Sequence, residues 1–332
     1  MRAVLCRTFG SPAVEDIPPP DLVPGGVRIA VQAAGMSFAN LLVLQGTHQN
    51  RAPLPFIPGT EVAGIVTELA PDAAGGLRIG DRVCAGVASG GFAEQVVAPA
   101  ENVFRIPGTM DFASATHFPT IYATAYAALA WRAALQPGEV LLVHGAAGAS
   151  GLAAVEVGRV LGATVIATAG SPEKCAIARD HGAQHAIDYR AGDFRKQVLD
   201  LTGGRGADVI FDPVGGDVFD ESLRCIAPLG RIIPMGFASG RIPLVPANLI
   251  LVKNLTVIGL YWGFYMAWGK SQADPPLRAR VRAMFGELFR LYETGALRPV
   301  TDRVLPLAEF ATGLHRIEAR AVVGKIVLSP GA

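Results

Sequence analysis

The chain has 332 residues, of which 51% are hydrophobic and 17% are charged, with 39 glycines, 24 prolines and a formal net charge of +1 at pH 7. This length and composition are typical of a globular α/β protein of two domains, and they exclude a disordered or fibrous chain. A charge so close to zero provides no basic surface for nucleic acid or anionic lipid, so we expect neither as a partner.

The cysteines are isolated from one another: Cys6, Cys84, Cys175 and Cys225. None forms a C-x-x-C pair or lies near a histidine at the spacing of zinc ligands, and scattered thiols suit a reducing compartment. The N-terminal MRAVLCRTFG resembles a strand rather than a secretory signal, and the longest apolar stretch, residues 140–170, is interrupted by charges and glycines. We therefore expect a soluble cytoplasmic protein that does not enter a membrane.

The N-terminal part of the chain, to about residue 115, is predicted to be rich in β-strands. Short alternating runs such as VRIAVQAAG and EVAGIVTEL are separated there by proline and glycine clusters. A helix is predicted next in SATHFPTIYATAYAALAWRAAL, beginning near Ser114 or Thr116.

From residue 140, apolar strand segments alternate with helical segments. The predicted strands lie in VLLVHGA, ATVIATAG, HAIDY, ADVIFDPVG and RIIPMG. This alternation predicts βαβ units and a parallel sheet covered on both faces. A further strand, LTVIGLYWG, and a long helix, PPLRARVRAMFGELFRLYETG, follow, and the last strand, in GKIVLS, is predicted to return to the N-terminal β domain.

The first turn of this series, HGAAGASG, matches the dinucleotide pattern G-x-G-x-x-G, with Ala146, Gly148 and Gly151 at its three key positions. Gly148 would let the backbone approach a pyrophosphate, and Gly151 would let the helix pack closely. The predicted pyrophosphate site is the start of the helix, where N–H groups are free; it comprises Ala147, Gly148, Ala149 and Ser150. A tight turn without a ligand is the alternative, and the flanking strand and helix favour the dinucleotide.

The second strand ends at Ala169-Gly170, without the Asp or Glu with which NAD-selective sites bind the ribose. A carboxylate there would repel a 2′-phosphate, whereas Ser171 and Lys174 offer hydrogen-bond donors. Charge-assisted hydrogen bonds contribute roughly 1.5–3 kcal/mol each, so one or two of them predict a preference for NADPH of roughly ten- to hundredfold. The alternative is that Lys174 is an ordinary exposed lysine in the first turn of a helix.

Over nearly its whole length the sequence resembles the medium-chain dehydrogenase/reductases, in the zinc-independent quinone oxidoreductase branch that includes zeta-crystallin. The segments that carry the resemblance are LPFIPGTEVAGIV, GDRVCA, GFAEQVV, LQPGEVLLVHGAAGASGLAAVE, FDPVGGDVF, IAPLGRIIPMGFASG and GKIVL. The resemblance implies a GroES-like, β-rich catalytic domain formed by residues 1–116 and 259–332. It also implies a Rossmann domain with a doubly wound parallel sheet at residues 117–258, and a homodimer in which LTVIGLYWG is an edge strand.

The resemblance extends the expected cofactor site. In that branch a glycine, a lysine, a tyrosine and an arginine commonly surround the 2′-phosphate of NADPH, and the matching residues are Gly170, Lys174, Tyr189 and Arg320. Later strand ends and the following segment would form an apolar wall near the nicotinamide; these residues are Gly236, Phe237, Leu260, Tyr261 and Trp262. For Tyr189 and Arg320, ordinary loop and surface positions are the alternative.

Zinc-dependent relatives carry cysteine and histidine ligands in G-x-C-H-x-D and G-H-E motifs, where this chain has Ser37 and Thr60. Zinc needs three or four protein ligands, so no metal is expected, and Glu61 is predicted to pair with a cation or a backbone donor.

The candidates for the substrate and nicotinamide side are Ser37, Asn40, Tyr122 and Thr124. Tyr122 and Tyr126 are spaced to share a helix face, for which packing is the alternative role. His48 is a further proton-donor candidate, with a solvated loop position as its alternative.

Without a Lewis acid, the substrate itself must be electron-poor, and a quinone or an α,β-unsaturated carbonyl meets this condition. The expected function is therefore that of a zinc-independent NADPH:quinone oxidoreductase. Two alternatives remain: an NADPH-dependent enoyl or 2-alkenal reductase, and a non-catalytic NADPH-binding protein with a structural or RNA-binding role.

Overall fold

The structure is a computed structural model that describes residues 1–49, 51–268 and 274–331. The chain divides into two compact units. The first comprises Met1–Ala123, Trp262–Thr294 and Pro299–Ala332, and the second comprises Thr124–Tyr261 and Gly295–Arg298. In this division, residues 117–123 lie in the first unit and residues 259–261 and 295–298 in the second, and the domain boundaries expected from the sequence stay a prediction.

The elements are numbered in chain order. The strands are β1 (Arg2–Cys6), β2 (Pro12–Asp16), β3 (Gly26–Met36), β4 (Glu61–Leu69), β5 (Arg82–Gly86), β6 (Gln95–Pro99), β7 (Val103–Arg105), β8 (Val140–Val143), β9 (Thr164–Ala169), β10 (His185–Asp188), β11 (Ala207–Asp212), β12 (Ile226–Pro234), β13 (Thr256–Val257), β14 (Thr301–Pro306) and β15 (Lys325–Ser329). The α-helices are α1 (Phe38–Leu44), α2 (Phe112–Ala115), α3 (Ala123–Tyr126), α4 (Ala149–Val160), α5 (Pro172–Asp180), α6 (Phe194–Leu201), α7 (Asp217–Cys225), α8 (Ala247–Lys253), α9 (Trp262–Tyr265), α10 (Pro275–Glu293) and α11 (Phe310–Glu318). Short 3₁₀ turns lie at Ala100–Asn102 and Leu307–Glu309, and π-helical turns at Phe118–Tyr122 and Ala127–Arg132.

The first unit is built on a seven-stranded sheet in the order β14-β15-β3-β4-β5-β7, with β6 pairing to β3. The strand pairs are antiparallel except for β14 with β15. Ile326 of β15 lies opposite Met36 of β3, which confirms that the last strand returns to the N-terminal β domain. The apolar core of this unit includes Val27, Ile29 and Phe92, all of which are fully buried.

The second unit is built on a parallel sheet in the order β10-β9-β8-β11-β12-β13. After β10 the chain crosses back to place β11 beside β8, so the loops that follow β8 and β11 diverge at one edge of the sheet. Every residue of β11 is buried, as expected for a central parallel strand covered on both faces. The predicted doubly wound sheet is confirmed, and its switch point lies between β8 and β11, where such folds bind ligands.

The helix predicted from Ser114 or Thr116 begins earlier and is irregular. Its first turn is capped by Asp111, whose carboxylate accepts the backbone N–H of Ser114 at 2.8 Å and its hydroxyl at 2.7 Å. Pro119 has no N–H to donate, and the chain continues in a π-turn in which the Tyr122 N–H donates to the His117 carbonyl at 3.0 Å.

The predicted strand LTVIGLYWG is mostly irregular. Only Thr256–Val257 pairs, alongside β12, and α9 begins at Trp262. Before β13, four large apolar side chains are at least 66% exposed: Ile242, Leu244, Leu251 and Val252. The expected homodimer stays a prediction. In such a dimer, a second copy would cover this exposed stretch. Every helix that the structure describes is too short or too polar to span a bilayer.

Candidate functional site

The turn between β8 and α4 has the shape expected of a phosphate loop. Gly145 adopts a φ of 59°, and the Gly148 N–H donates to the Gly145 carbonyl at 3.0 Å. A side chain at Gly151 would meet the Gly145 carbonyl oxygen and would place its Cβ 2.7 Å from the Cα of Ala146. Gly151 is therefore needed for the close packing of α4 on the loop, as the sequence pattern predicts.

Gly148 has a different environment from Gly151. It caps α4 with a φ of −80° and a ψ of 163°, which other residues also adopt, and a Cβ there would have the Gly145 oxygen at 3.5 Å as its nearest neighbour. The first N–H groups of α4, those of Ala149, Ser150 and Gly151, have no acceptor within the helix. These N–H groups and the positive end of the helix dipole favour the binding of an anion such as a pyrophosphate.

The ends of β9 and β10 bring two of the predicted 2′-phosphate residues together. Asp188 lies opposite Ala169 in the parallel register, and the Tyr189 N–H donates to the Ala169 carbonyl at 3.1 Å. A Cβ on Gly170 would lie 2.6 Å from the Tyr189 hydroxyl oxygen and 3.4 Å from Nε of Arg190. Gly170 thus leaves room for the tyrosine hydroxyl, and Arg190 is a neighbour that sequence reasoning missed.

Ser171 caps α5, and its hydroxyl oxygen accepts the Lys174 N–H at 3.3 Å. The pKa of Glu173 is lowered by its own backbone N–H and by the Ser171 hydroxyl, which donates to the carboxylate. From the sequence, Ser171 was expected to donate a hydrogen bond to the ligand, and the end of the second strand has no Asp or Glu. In the structure, Glu173 places a carboxylate in the first turn of α5, and this carboxylate accepts the hydrogen bond that the Ser171 hydroxyl donates.

The loops after β11 and β12 adjoin the phosphate loop. Asp212 is fully buried, and one carboxylate oxygen accepts the N–H groups of Val214 at 2.8 Å and Gly215 at 3.0 Å. A Cβ on Gly145 would lie 3.5 Å from Cγ of Pro213, and one on Gly215 would lie 3.0 Å from the Phe237 ring. This packing places Phe237 and its neighbour Gly236, both half-buried, at the carboxyl edge of the sheet.

His144 links three elements beneath the phosphate loop. It is buried, with Nδ1 at 2.9 Å from the Thr168 hydroxyl and Nε2 at 2.8 Å from the Ser222 hydroxyl. Because Ser222 donates its proton to the Val218 carbonyl, it accepts from Nε2–H, and Thr168 donates to Nδ1. Burial lowers the pKa of His144, so the ring is neutral. Its two hydrogen bonds connect the end of β8 to β9 and α7.

In the first unit, Ser37 and Asn40 are hydrogen-bonded to each other. Asn40 Oδ1 accepts the Ser37 N–H at 2.8 Å and the Ser37 hydroxyl at 3.0 Å. Asn40 is 2% exposed. The pair closes the N-terminus of α1 as a capping box, which gives both predicted catalytic residues a structural role.

Glu61 pairs with a cation, as predicted from the absent zinc ligands. Its partner is the ammonium of Lys325, which is fully buried and also donates to the Thr116 carbonyl at 2.9 Å. A Cβ on Gly35 would lie within 2.7 Å of both charged groups, so glycine is required beside them. Within the described ranges, no group of three or more histidine, cysteine, aspartate or glutamate side chains could hold a metal ion.

The remaining aromatic candidates mostly pack within their own units. Tyr122 is 2% exposed and stacks on Phe118 at 4.9 Å. Tyr126 meets Trp131 edge-on at 6.3 Å. Trp262 is 6% exposed, and its indole N–H donates to the Pro119 carbonyl at 2.8 Å. These contacts favour packing over contact with a ligand.

The positions of the other predicted site residues do not test their expected roles, which stay predictions. Thr124 is half-buried at the start of the second unit, and Leu260 and Tyr261 close its main segment, with Tyr261 46% exposed. Arg320 is exposed in the first unit, just after α11, with a φ of 55°. His48 is half-buried after α1.

Comparison with known proteins agrees with this architecture. The model of the alcohol dehydrogenase GroES-like domain matches residues 23–108, and that of zinc-binding dehydrogenases matches residues 149–273. The quinone oxidoreductase-like protein 2 of Bos taurus is 39% identical over 330 residues, which cover 99% of this chain and 92% of the relative. The chain belongs to the quinone oxidoreductase branch of the medium-chain dehydrogenase/reductases. It is therefore an oxidoreductase.

Solved structures of this branch have the same fold. The quinone oxidoreductase of Pseudomonas syringae pv. Tomato DC3000 superposes with a TM-score of 0.90 at 29% identity, over 99% of both chains. The quinone oxidoreductase of Escherichia coli, solved in complex with NADPH, gives a TM-score of 0.89 at 25% identity, over 99% of this chain and 100% of that one.

Proposed function

We propose that this protein is an NADPH-dependent, zinc-independent reductase that transfers a hydride to a quinone or a related conjugated carbonyl. The observation that supports it most is the end of β9, where Gly170 makes room for the Tyr189 hydroxyl and Lys174 stands in the first turn of α5. No carboxylate occupies the strand end itself, where an NAD-selective site would have one.

The residues present fit such a cofactor. The open side of Gly148 and the first N–H groups of α4 suit a pyrophosphate, and the cradle formed by Gly170 and Tyr189 suits the phosphorylated ribose. When it is bound, NADPH supplies the hydride. The solved Escherichia coli relative was crystallised with NADPH, which supports the same choice here.

Among the residues that the structure describes, no cluster could hold a metal to polarise a carbonyl, and Ser37 and Thr60 stand where zinc-dependent relatives have ligands. Ser37 is also engaged with Asn40. The acceptor must then be electron-poor by itself, and the task of the protein is to hold it against the cofactor. Quinones and enones meet this requirement, whereas simple ketones do not.

A substrate panel tests the proposal. We expect purified protein to consume NADPH with ortho- or para-quinones and to leave saturated ketones and alcohols unchanged, before and after treatment with a chelator. Turnover confined to 2-alkenals or enoyl thioesters would establish the enoyl reductase alternative instead. Loss of activity with chelation, or silence across the whole panel, would contradict the proposal.

A further inference from the structure

Arg190 lies beside the expected 2′-phosphate site. Its Nε would be 3.4 Å from a Cβ on Gly170, which places the guanidinium at the same glycine as the Tyr189 hydroxyl. The side chain is exposed, and its backbone N–H donates to Asp188 at 2.9 Å. This backbone bond fixes the turn after β10, and with it the position from which the side chain extends.

Several arginines of the second unit are already engaged by acidic side chains. Arg195, Arg205 and Arg231 are each paired with a carboxylate. In the part of the chain that the structure describes, Arg190 has no ion pair with an acidic side chain. Its charge is therefore available to a ligand.

The local charges show why one lysine would not suffice. Lys174 has the carboxylate of Glu173 next to it in α5, and the carboxylate of Asp188 lies at the end of β10. If Lys174 were the only cation that the second unit contributes, these two acids would outnumber it and repel a phosphate dianion. Arg190 restores the balance on the side of the site that Gly170 leaves open.

We propose that Arg190 is a second phosphate-binding cation contributed by the second unit, beside Lys174, and that the two together favour NADPH over NADH. The inference rests on the proposed function, because it assigns a further residue to the same site. A guanidinium presents a planar fork of N–H donors that matches phosphate oxygens, which an ammonium cannot reproduce. Arg190→Met should therefore weaken phosphate binding more than Arg190→Lys.

The test uses binding rather than turnover. Adenosine 2′,5′-bisphosphate and AMP are titrated calorimetrically into the wild-type protein, Arg190→Met, Arg190→Lys and Lys174→Met. Loss of one charge-assisted contact should weaken the bisphosphate about tenfold in Arg190→Met and leave AMP unchanged. Arg224→Met is the matched control: it removes the same charge from an exposed arginine of α7, and it should alter neither ligand. Unchanged circular dichroism and melting temperature would show that each variant is folded.

The outcomes separate this inference from the proposed function. If the wild-type protein binds the bisphosphate no more tightly than AMP, the NADPH assignment itself fails. If the wild-type protein prefers the bisphosphate and Arg190→Met keeps that preference, the role of Arg190 is refuted while the function stands. Equal weakening of both ligands would also refute it, because Arg190 would then shape the adenosine pocket through Tyr189.

Discussion

Among the single residues of the site, Gly148 and Gly151 separate what the fold needs from what a ligand needs. Both belong to one glycine motif, in which the sequence pattern assigns Gly148 to the ligand and Gly151 to helix packing. In the structure, a methyl group at Gly151 meets backbone atoms, whereas one at Gly148 meets only the Gly145 oxygen at ordinary contact distance. The two alanine variants should therefore fail in different ways.

We expect Gly151→Ala to lower the free energy of unfolding by about 1–3 kcal/mol, the usual cost of overpacking against atoms that cannot move aside. Gly148→Ala should change it by no more than about 0.5 kcal/mol, since its backbone angles suit alanine. Affinity for NADPH should nevertheless fall in Gly148→Ala, because the methyl group would occupy the pyrophosphate side. Urea unfolding and calorimetric titration of both variants measure the two effects. A Gly148→Ala variant with unchanged NADPH affinity would contradict the phosphate-loop assignment.

Sequence reasoning found Gly170, Lys174 and Tyr189 but missed Arg190 and the engagement of Ser171 by Glu173. The first three follow from residue type and from the resemblance to a known family. The position of Arg190 beside Gly170 depends on the register of β9 with β10, which has no signal in the sequence of either strand. The AIDYR segment did contain the arginine next to Tyr189, and that adjacency was the available clue.

At the scale of elements, the buried pair of Lys325 and Glu61 joins the start of β15 to the start of β4. Burial lowers the pKa of Lys325, so its ammonium depends on Glu61 and the Thr116 carbonyl for stabilisation. Removing one partner would leave the other charge buried and uncompensated. The last strand of the first unit is thus joined to β4 by an ion pair, and neutralising either charge alone is expected to destabilise the protein.

Lys325→Met should therefore lower the free energy of unfolding by about 3–5 kcal/mol, and Glu61→Gln by a comparable amount. The double variant should lose much less than the sum of the two, because no isolated charge remains. Lys196→Met, which breaks the exposed pair with Asp200, is the control and should cost no more than about 0.5 kcal/mol. Urea unfolding checks all four proteins, and additive losses in the double variant would show that the pair is not coupled.

The helical segment from residue 112 to 132 shows where element prediction fails. Its apolar periodicity correctly predicted a helix, but the cap and the hydrogen-bond pattern depend on Asp111 and Pro119, which the periodicity does not include. LTVIGLYWG was wrong as a long strand for a related reason: its composition suits a strand, but only Thr256–Val257 finds a partner, in β12. Strand length is decided by the neighbouring strand as much as by the residues themselves.

For the whole molecule, the sequence predicted the parallel sheet of the second unit and the return of the last strand to the N-terminal β domain. The alternation of apolar strands and helices dictates parallel pairing in the second unit, and the terminal GKIVLS strand does pair with β3. The division of the chain places residues 118–123 with the first unit, where Phe118 packs against Phe289 and Tyr292. Such a division depends on tertiary contacts that no local pattern encodes.

The central claim is that the nucleotide site of this chain accepts the extra phosphate of NADPH. Calorimetric titration of the wild-type protein with NADPH and NADH tests it most directly, with Lys174→Ala beside it. Charge-assisted contacts predict that NADPH binds at least about tenfold more tightly, and that Lys174→Ala narrows the difference mainly by weakening NADPH. Equal dissociation constants for the two cofactors in the wild-type protein would contradict the account.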